Sequence, residues 1–250
     1  MGTGGTTGTG GTTGTGGKTG SGGKTGSGGG GAVTPGLVGH WKLDEADTSG
    51  MPMDSSGNGH PGTYSATKPT VSTMVPAQLA GKSTACLSFN GTANTVALQP
   101  SATYGTWNAT GSYSISAWIL VAGFLTDGTW MGVIANEGGA GKNYCGIYID
   151  NTNSFAYEAN EIPSPGTTAA TLNVWQHVAV VQDATSNKLY VNGTASAGTR
   201  AAQDCSSTAP FHIGSPDGTG GFFNGRVDDV RFYNRALTQA EVTALSAGQN

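Results

Sequence analysis

Charged residues, and basic ones in particular, are scarce in this 250-residue sequence. Only 10% of the residues are Asp, Glu, Lys or Arg, and the formal net charge is −4. Because nucleic-acid-binding surfaces need clustered Lys and Arg, we expect no nucleic acid as a partner. No apolar run approaches the roughly 20 residues that a transmembrane helix requires, so we expect no membrane span.

A signal-peptide core is also missing after Met1. Exported proteins normally carry such an apolar segment. We therefore expect that the numbering begins after processing or does not follow the start of a gene.

Cysteine is rare as well, and the sequence contains only Cys86, Cys145 and Cys205. Three thiols allow one disulfide in three pairings and leave one thiol over. Three isolated small apolar side chains are an equally good interpretation. The sequence therefore leaves the pairing open.

Proline is absent from a repetitive tract that occupies residues 2–31. In blocks of six the tract reads GTGGTT, GTGGTT, GTGGKT, GSGGKT and GSGGGG, and glycine occupies every third position from Gly2 to Gly29. Its largest apolar group is a threonine methyl, so it cannot build a packed core.

Three interpretations of this tract stay open. Glycine and hydroxyl residues are typical of a flexible linker. A three-residue glycine period is typical of a collagen-like triple helix, because only glycine fits at the crowded axis. Without proline an isolated triple helix would be weak, unless sugars on the threonines compensate. The third interpretation is an extended arm that adds a strand to the sheet edge of a neighbouring molecule.

The composition changes at Ala32–Pro35, which divides the chain into a Gly/Thr-rich arm, residues 1–31, and a folded domain, residues 32–250. In the domain, short segments of alternating apolar and polar residues are separated by turn residues. This pattern predicts an all-β sandwich or jelly roll. The predicted strands are Leu37–Leu43, Cys86–Phe89, Thr95–Leu98, Ser112–Val121, Trp130–Ala135, Tyr144–Asp150, Phe155–Tyr157, Trp175–Asp183, Lys188–Val191 and Phe211–Gly214.

The closing segment, Gly225–Tyr233, also has strand periodicity, with apolar and charged residues on both faces. One predicted face carries Val227, Asp229, Arg231 and Tyr233, and the other carries Arg226, Asp228, Val230 and Phe232. A buried carboxylate pair inside a strand needs a cation or good hydrogen bonds. After this strand, Thr238 stands three residues before Glu241, a capping box that predicts a short C-terminal helix.

Seven sequence blocks stand in order along the domain: Gly36–Glu45, Asp54–His60, Leu87–Gly91, Ser114–Trp118, Trp175–Ala179, Lys188–Gly193 and Gly225–Leu237. Together they resemble the laminin-G-like, concanavalin A-like jelly-roll family over about residues 36–246. The resemblance implies two antiparallel sheets of six to seven strands, with the closing strand next to the first. Members are mostly non-catalytic carbohydrate-binding modules, adhesion modules and spacer domains of secreted proteins.

Many members of that family hold a structural calcium ion near the first-strand loop and the last strand. The resemblance therefore implies Ca²⁺ ligands at Asp44, Asp54, Asn58 and Asp228. Carboxylate and amide oxygens are ligands that Ca²⁺ accepts. The alternative is that Asp228 or Asp229 pairs with Arg226 or Arg231, while Asp54 caps a turn.

Related folds also include glycoside hydrolases, which need two carboxylates across a cleft. The Glu-x-Asp-x-Glu strand motif of those enzymes is absent here, and the spacing of Glu158 and Glu161 directs them to opposite faces of a strand. The four histidines are dispersed. We therefore expect no catalysis.

A glycan site would use aromatic side chains with polar neighbours. The candidate ligand-binding residues are Trp130, Tyr144, Asn136 and Glu137. Trp107, Phe222 and Phe223 are further aromatic candidates, and core packing is the alternative for each of them. The sequons at Asn90, Asn108 and Asn192 are candidate glycosylation sites. Asn90-Gly91 and Asn192-Gly193 are also typical of hairpin turns.

The sequence thus predicts a non-catalytic extracellular or cell-surface protein of structural or adhesive type. Its arm would mediate self-assembly into a homo-oligomer or filament, and its head would present a lectin-like surface to glycans. The alternative is a carbohydrate-binding module on a flexible linker.

Overall fold

We analysed a computed structural model, which describes Met1 and residues 33–138, 143–163 and 168–249. The chain divides into two units, residues 1–30 and residues 31–250. The predicted assembly tract, residues 2–31, lies outside the described residues. In the second unit the described residues are 33–138, 143–163 and 168–249.

The described part of this unit is almost entirely β-structure. Its strands are β1 Leu37–Trp41, β2 Thr63–Tyr64, β3 Thr70–Ser72, β4 Cys86–Asn90, β5 Val96–Pro100, β6 Tyr113–Val121, β7 Met131–Ala135, β8 Cys145–Ile149, β9 Ser154–Ala159, β10 Ile162–Pro163, β11 Thr168–Ala169, β12 Trp175–Gln182, β13 Ser186–Val191, β14 Thr194–Ala195, β15 Arg200–Ala201, β16 Pro210–Ile213 and β17 Asn224–Tyr233. One α-helix among the described residues, α1 Gln239–Ser246, follows the last strand. It is too short to cross a bilayer, and no other helix of the described residues could do so.

The strands form two sheets, and all pairings between named strands are antiparallel. The front sheet has the order β14-β13-β12-β6-β17-β4-β3, with β1 on β17 and β15 on β13. The back sheet has the order β10-β9-β8-β7-β16-β5-β2, with β11 on β9. The predicted two-sheet jelly roll and the pairing of the closing strand with the first are confirmed. The described sheets have nine and eight strands rather than six to seven, because two-residue strands extend their edges.

The core lies between the two sheets and follows the strand alternation. On β6, every second side chain from Tyr113 to Val121 points inward. An aromatic cluster fills the centre, where the rings of Tyr104 and Phe232 meet edge to face with centroids 5.0 Å apart. Trp107 stacks on Tyr113 at 4.5 Å. Trp107 and Phe223 are therefore core residues rather than glycan platforms.

Helix α1 covers part of the outer face of the front sheet. Its buried residues Val242 and Leu245 join an apolar cluster with Ala179, Tyr190 and Tyr233. The Thr238 hydroxyl accepts the Glu241 amide, and the Glu241 carboxylate accepts the Thr238 amide, so the predicted capping box is confirmed. A cap of this kind stabilises a short helix because it pairs amides that lack partners in the first turn.

The predicted alternation of β17 is wrong in its second half. The register against β6 shifts between Asp228 and Arg231, and Asp229 has φ 52°. This bulge inserts one extra residue, so Val227, Val230 and Phe232 all reach the core. A regular strand would place apolar and charged residues on both of its faces. With the bulge, the apolar residues before and after it all face the core.

The two Asn-Gly sites differ. Asn192-Gly193, with φ 51° and 77°, forms the two-residue hairpin between β13 and β14, as predicted. Asn90-Gly91 does not form a hairpin, because β4 belongs to the front sheet and β5 to the back sheet. The Asn90 side chain instead accepts the amides of Thr92 and Ala93. Glycosylation at Asn90, Asn108 and Asn192 stays a prediction.

The sequence leaves the pairing of the three cysteines open, and the structure shows which two are bonded. Cys145 on β8 forms a disulfide with Cys205, 60 residues further along the chain. Cys86 is a free, buried thiol on β4. Burial raises the pKa of this thiol to about 12, which keeps it in the unreactive protonated form.

Candidate functional site

The outer face of the back sheet carries an open groove. On this face, Ala135 of β7 and Gly146 of β8 lie so close that a Cβ on Gly146 would be 2.3 Å from the Ala135 Cβ. The loop after β16 docks on β7, where the Gly132 amide donates to the Gly221 carbonyl at 3.0 Å. This loop forms one wall of the groove, and the turn between β9 and β10 contributes to the other side.

We call this feature the acidic groove and define it by Trp130, Glu137, Tyr148, Glu158, Glu161 and Asp217. Its volume is about 550 Å³. An adjoining hollow of about 430 Å³ shares Glu137 and Asp217 and extends to His212. Together they provide room for a ligand of several rings, in the size range of known small-molecule sites.

Aromatic side chains line the groove. Trp130 precedes β7, is partly exposed, and packs edge to face on Tyr148 at a centroid distance of 5.9 Å. Tyr148 points outward from β8 and is 2% exposed. Its hydroxyl lies near Glu137 but has no hydrogen-bond partner of good geometry among the described residues. A buried hydroxyl in this state gains free energy from a ligand that can pair with it.

Carboxylates line the groove around these rings. Burial raises the pKa of Glu137, and the negative charges of Asp217 and Glu161 add to the rise. Burial likewise raises the pKa of Glu158, and Glu137 and Glu161 act in the same direction. The Tyr144 hydroxyl opposes this by donating a 3.1 Å hydrogen bond to Glu158. Both glutamates therefore lie close to other negatively charged side chains.

The four predicted ligand-binding residues do not all reach the groove. Trp130 and Glu137 line it, and Tyr144 is linked to it through Glu158. Asn136 is fully buried, and its carbonyl oxygen accepts the Cys145 amide at 2.8 Å, so it joins β7 to β8. A role for any of them in binding stays a prediction.

Sequence reasoning missed Tyr148 and Asp217, and it considered Glu158 only as a catalytic residue. The outward position of Tyr148 was available from the alternation Cys145, Ile147 and Ile149 on β8, which places these three inward. No local signal identifies Asp217, because its position depends on how the loop after β16 docks.

A second cluster of charges lies on the outer face of the front sheet, at the β17 bulge. Asp229 accepts a 2.7 Å hydrogen bond from His40 Nε2 and a 2.9 Å hydrogen bond from Arg231 Nη2. Burial alone would raise the pKa of Asp229, but His40 and Arg231 outweigh it and hold the pKa below its ordinary value. The predicted alternative, pairing of an aspartate with Arg231, is thus present at Asp229.

Asp228 has a different environment, although it is the next residue. It is 0% exposed, and the Ser83 hydroxyl donates to its Oδ2 at 3.0 Å. Its Oδ1 has no partner among the described residues. Burial, with the charges of Asp229 and Asp44, raises the pKa of Asp228 to about 8. The carboxyl group is therefore mostly protonated at neutral pH.

The predicted calcium ligands do not come together as one set. Asp54 accepts the amides of His40, Ser56 and His60, so it acts as a turn cap. The Asn58 amide group donates to the carbonyls of β1. Among the described residues, no three His, Cys, Asp or Glu side chains are placed to hold a metal ion.

Asp228 differs from the other predicted ligands, because its buried Oδ1 has no hydrogen-bond partner among the described residues. The cavity beside it is only about 10 Å³ and is bordered by Lys42 and Lys82. A space of this size accepts about one water molecule. The four residues therefore do not fit one shared calcium ion in this arrangement, and calcium binding stays a prediction.

The comparisons with known proteins agree with the fold. A search of curated proteins found no match. Domain 4 of AbnA, a GH43 extracellular arabinanase from Geobacillus stearothermophilus solved with arabinotriose, superposes with a TM-score of 0.62 at 20% identity, over 84% of this chain and 98% of that chain. The binding domain of Paraclostridial Mosquitocidal Protein 1 gives a TM-score of 0.63 at 17% identity, over 85% and 52%.

Trypanosoma rangeli sialidase gives a TM-score of 0.62 at 19% identity, and the match covers 87% of this chain but only 33% of the enzyme. The chain thus spans about a third of the sialidase and about half of the mosquitocidal protein's domain. At these identities the similarity shows the fold alone. The family model described as the concanavalin A-like lectin/glucanases superfamily matches residues 90–243, which is more than half of the chain, so the protein belongs to this superfamily.

Proposed function

We propose that the protein binds carbohydrate and that the acidic groove is its glycan site. The observation that carries the proposal is Trp130 packed beside Tyr148, with carboxylates around them; the Tyr148 hydroxyl has no hydrogen-bond partner of good geometry in the described part of the chain. A sugar ring has an apolar C–H face that packs on an aromatic ring, and hydroxyl groups that pair with carboxylate oxygens. The complex of AbnA domain 4 with arabinotriose supports the proposal by analogy of fold.

In this proposal each side chain has a distinct role. Trp130 stacks against the sugar, because it is the partly exposed ring at the groove. The Tyr148 hydroxyl pairs with a sugar hydroxyl that reaches the floor. Glu137 and Glu158 accept hydrogen bonds from further sugar hydroxyls.

We propose further that the domain is not catalytic. A glycosidase usually needs one protonated and one ionised carboxyl group, held apart by different environments. The sequence lacks the Glu-x-Asp-x-Glu strand motif that supplies such a pair in the related hydrolases, and this supports the proposal. Incubation with glycans that bind should therefore release no reducing ends, and such a release would contradict this part of the proposal.

The test of binding is a glycan array followed by calorimetry on the full chain. Trp130→Ala should weaken binding of any glycan that the array identifies by about tenfold or more, because it removes the stacking surface. Trp175→Ala, a partly exposed tryptophan of the front sheet, is the matched control and should leave affinity unchanged. An array without any hit on the folded protein, or equal loss in both variants, would count against the groove.

A second proposal concerns residues 2–31. We propose that this tract mediates self-assembly of an extracellular or cell-surface protein. The strict glycine period in the sequence supports it, and the Cys145–Cys205 disulfide favours an oxidising compartment. Deleting residues 2–31 should abolish oligomers or filaments seen by light scattering and electron microscopy while the domain stays folded. Identical monomers with and without the tract would refute it.

A further inference from the structure

The charged side chains described at the acidic groove are all carboxylates. Glu137, Glu158, Glu161 and Asp217 line it, and no Lys or Arg is among the described residues that line it or the adjoining hollow. Arg200 on β15 interacts electrostatically with Glu158 but does not line the groove. Burial lowers the pKa of His212, at the far end of the hollow, and outweighs the opposing charge of Asp217.

The carboxylates are close enough to destabilise one another. Asp217 and Glu161 raise the pKa of Glu137, and Glu137 and Glu161 raise that of Glu158, in each case in addition to burial. A cation placed among them relieves this repulsion, whereas an anion adds to it. Net charge in a recess selects ligands by sign even where it adds little total affinity.

An independent feature points to a ligand with polar groups. Tyr148 is 2% exposed and lines the groove, and its hydroxyl lacks a hydrogen-bond partner of good geometry among the described residues. It lies near Glu137 without a hydrogen bond of good geometry, so a polar group of a ligand in the groove can supply a better partner. Together with the Trp130 ring, this feature favours a sugar over a simple metal ion or a plain cationic chain.

We propose that the acidic groove selects glycans that carry protonated amino groups, such as 2-amino-2-deoxy sugars, over their neutral N-acetylated forms and over sugars with carboxylates. This inference rests on the proposed carbohydrate-binding function. Trp130 holds the ring, Tyr148 pairs with a hydroxyl, and Glu137, Glu158 and Asp217 surround the ammonium group. N-acetylation removes the charge and leaves the rest of the sugar in place.

The experiment is calorimetry on the full chain at pH 6 with three probes of equal length. These are an oligomer of β-1,4-linked glucosamine, the same oligomer N-acetylated, and an oligomer of galacturonate. We expect the amine to bind about tenfold more tightly than the N-acetylated form, and the uronate to bind least. Raising the salt concentration should narrow the difference, because screening weakens charge interactions. In Glu137→Gln/Glu158→Gln, the ratio of the first two affinities should fall towards one.

The outcomes separate this inference from the function on which it rests. Equal or tighter binding of the N-acetylated oligomer would overturn the charge selectivity and leave glycan binding intact. Binding of an oligolysine as tight as that of a glucosamine oligomer of equal charge would also overturn it, since the sugar would then contribute nothing. If the folded protein binds no glycan on the array, the proposed function itself fails.

Discussion

Asp228 and Asp229 provide a matched pair of substitutions, because they are adjacent in sequence and both are buried. The first change is Asp228→Asn. Asparagine is close in shape to the protonated acid, and its amide oxygen can accept the Ser83 hydroxyl as Asp228 Oδ2 does. The amide nitrogen takes the place of Oδ1, which has no hydrogen-bond partner among the described residues. The substitution therefore removes the ionisable group and little else.

The magnitude follows from the pKa of Asp228. The ordinary value is 3.8 and the value in the fold is about 8, so between these limits the folded chain holds a proton that the unfolded chain has lost. Stability consequently falls as the pH rises, by about 1.4 kcal/mol per pH unit. Integrated up to pH 7, the loss is about 4 kcal/mol. Asp228→Asn should remove this pH dependence and raise stability at pH 7 by up to that amount.

Asp229→Asn should act in the opposite direction. The pKa of Asp229 lies below its ordinary value, because the bonds from His40 and Arg231 outweigh burial. The Asp229 carboxylate therefore stabilises the fold fully at pH values above its pKa in the unfolded chain. This stabilisation is lost as the pH falls through its lower pKa in the folded protein. Removing its charge leaves Arg231 buried beside a weaker partner, which costs about 3–5 kcal/mol.

The assay is urea unfolding followed by tryptophan fluorescence, from pH 4.5 to pH 8, with a chelator present throughout. If Asp228→Asn keeps the pH slope of the wild-type protein, or if Asp229→Asn is the less destabilising of the two at pH 7, the opposite pKa shifts of the two aspartates are wrong. Repeating the series with calcium adds a further test. If calcium stabilises the wild-type protein but not Asp228→Asn, Asp228 is ionised as a metal ligand.

Three other predictions concern stability. Replacing both Cys145 and Cys205 by alanine should lower the free energy of unfolding by about 4 kcal/mol, since the disulfide closes a loop of 60 residues; an unchanged denaturant midpoint would contradict the pairing. Thr238→Ala should cost about 1 kcal/mol in the same assay through loss of the helix cap, whereas Thr238→Ser should cost little. If the domain holds calcium at 100 times its dissociation constant, chelation should lower stability by about 3 kcal/mol, and an unchanged melting temperature would leave the four predicted ligands without a metal role.

Much of the fold was predictable because its determinants are local or periodic. The alternation along β6 assigns the side chains from Tyr113 to Val121 to inner and outer faces without reference to any other strand. The capping box needs only Thr238 and Glu241, which lie three residues apart. The Asn192-Gly193 hairpin depends on two residues that tolerate positive φ.

The candidate site was only partly predictable. Trp130 and Glu137 were identified as an aromatic residue with a polar neighbour, and both reach the acidic groove. Asn136 was grouped with them by proximity in sequence, but it points into the sheet and bonds to the Cys145 amide. Neighbours in sequence need not share a face, because successive side chains of an extended segment point to opposite sides.

The sequence by itself therefore predicted the class of fold, the longer strands and the helix, since their patterns lie within short segments. It did not predict the six strands of two or three residues, β2, β3, β10, β11, β14 and β15. Only the tertiary structure revealed the bulge at Asp229, where Asp229 bonds to His40, 189 residues away in sequence. It also showed that Cys205 is the disulfide partner of Cys145. It also decided the acidic groove, which combines residues from β8 and β9 with the segment before β7 and the loops after β7, β9 and β16. Such features depend on which distant segments pack together, and local propensity does not contain that information.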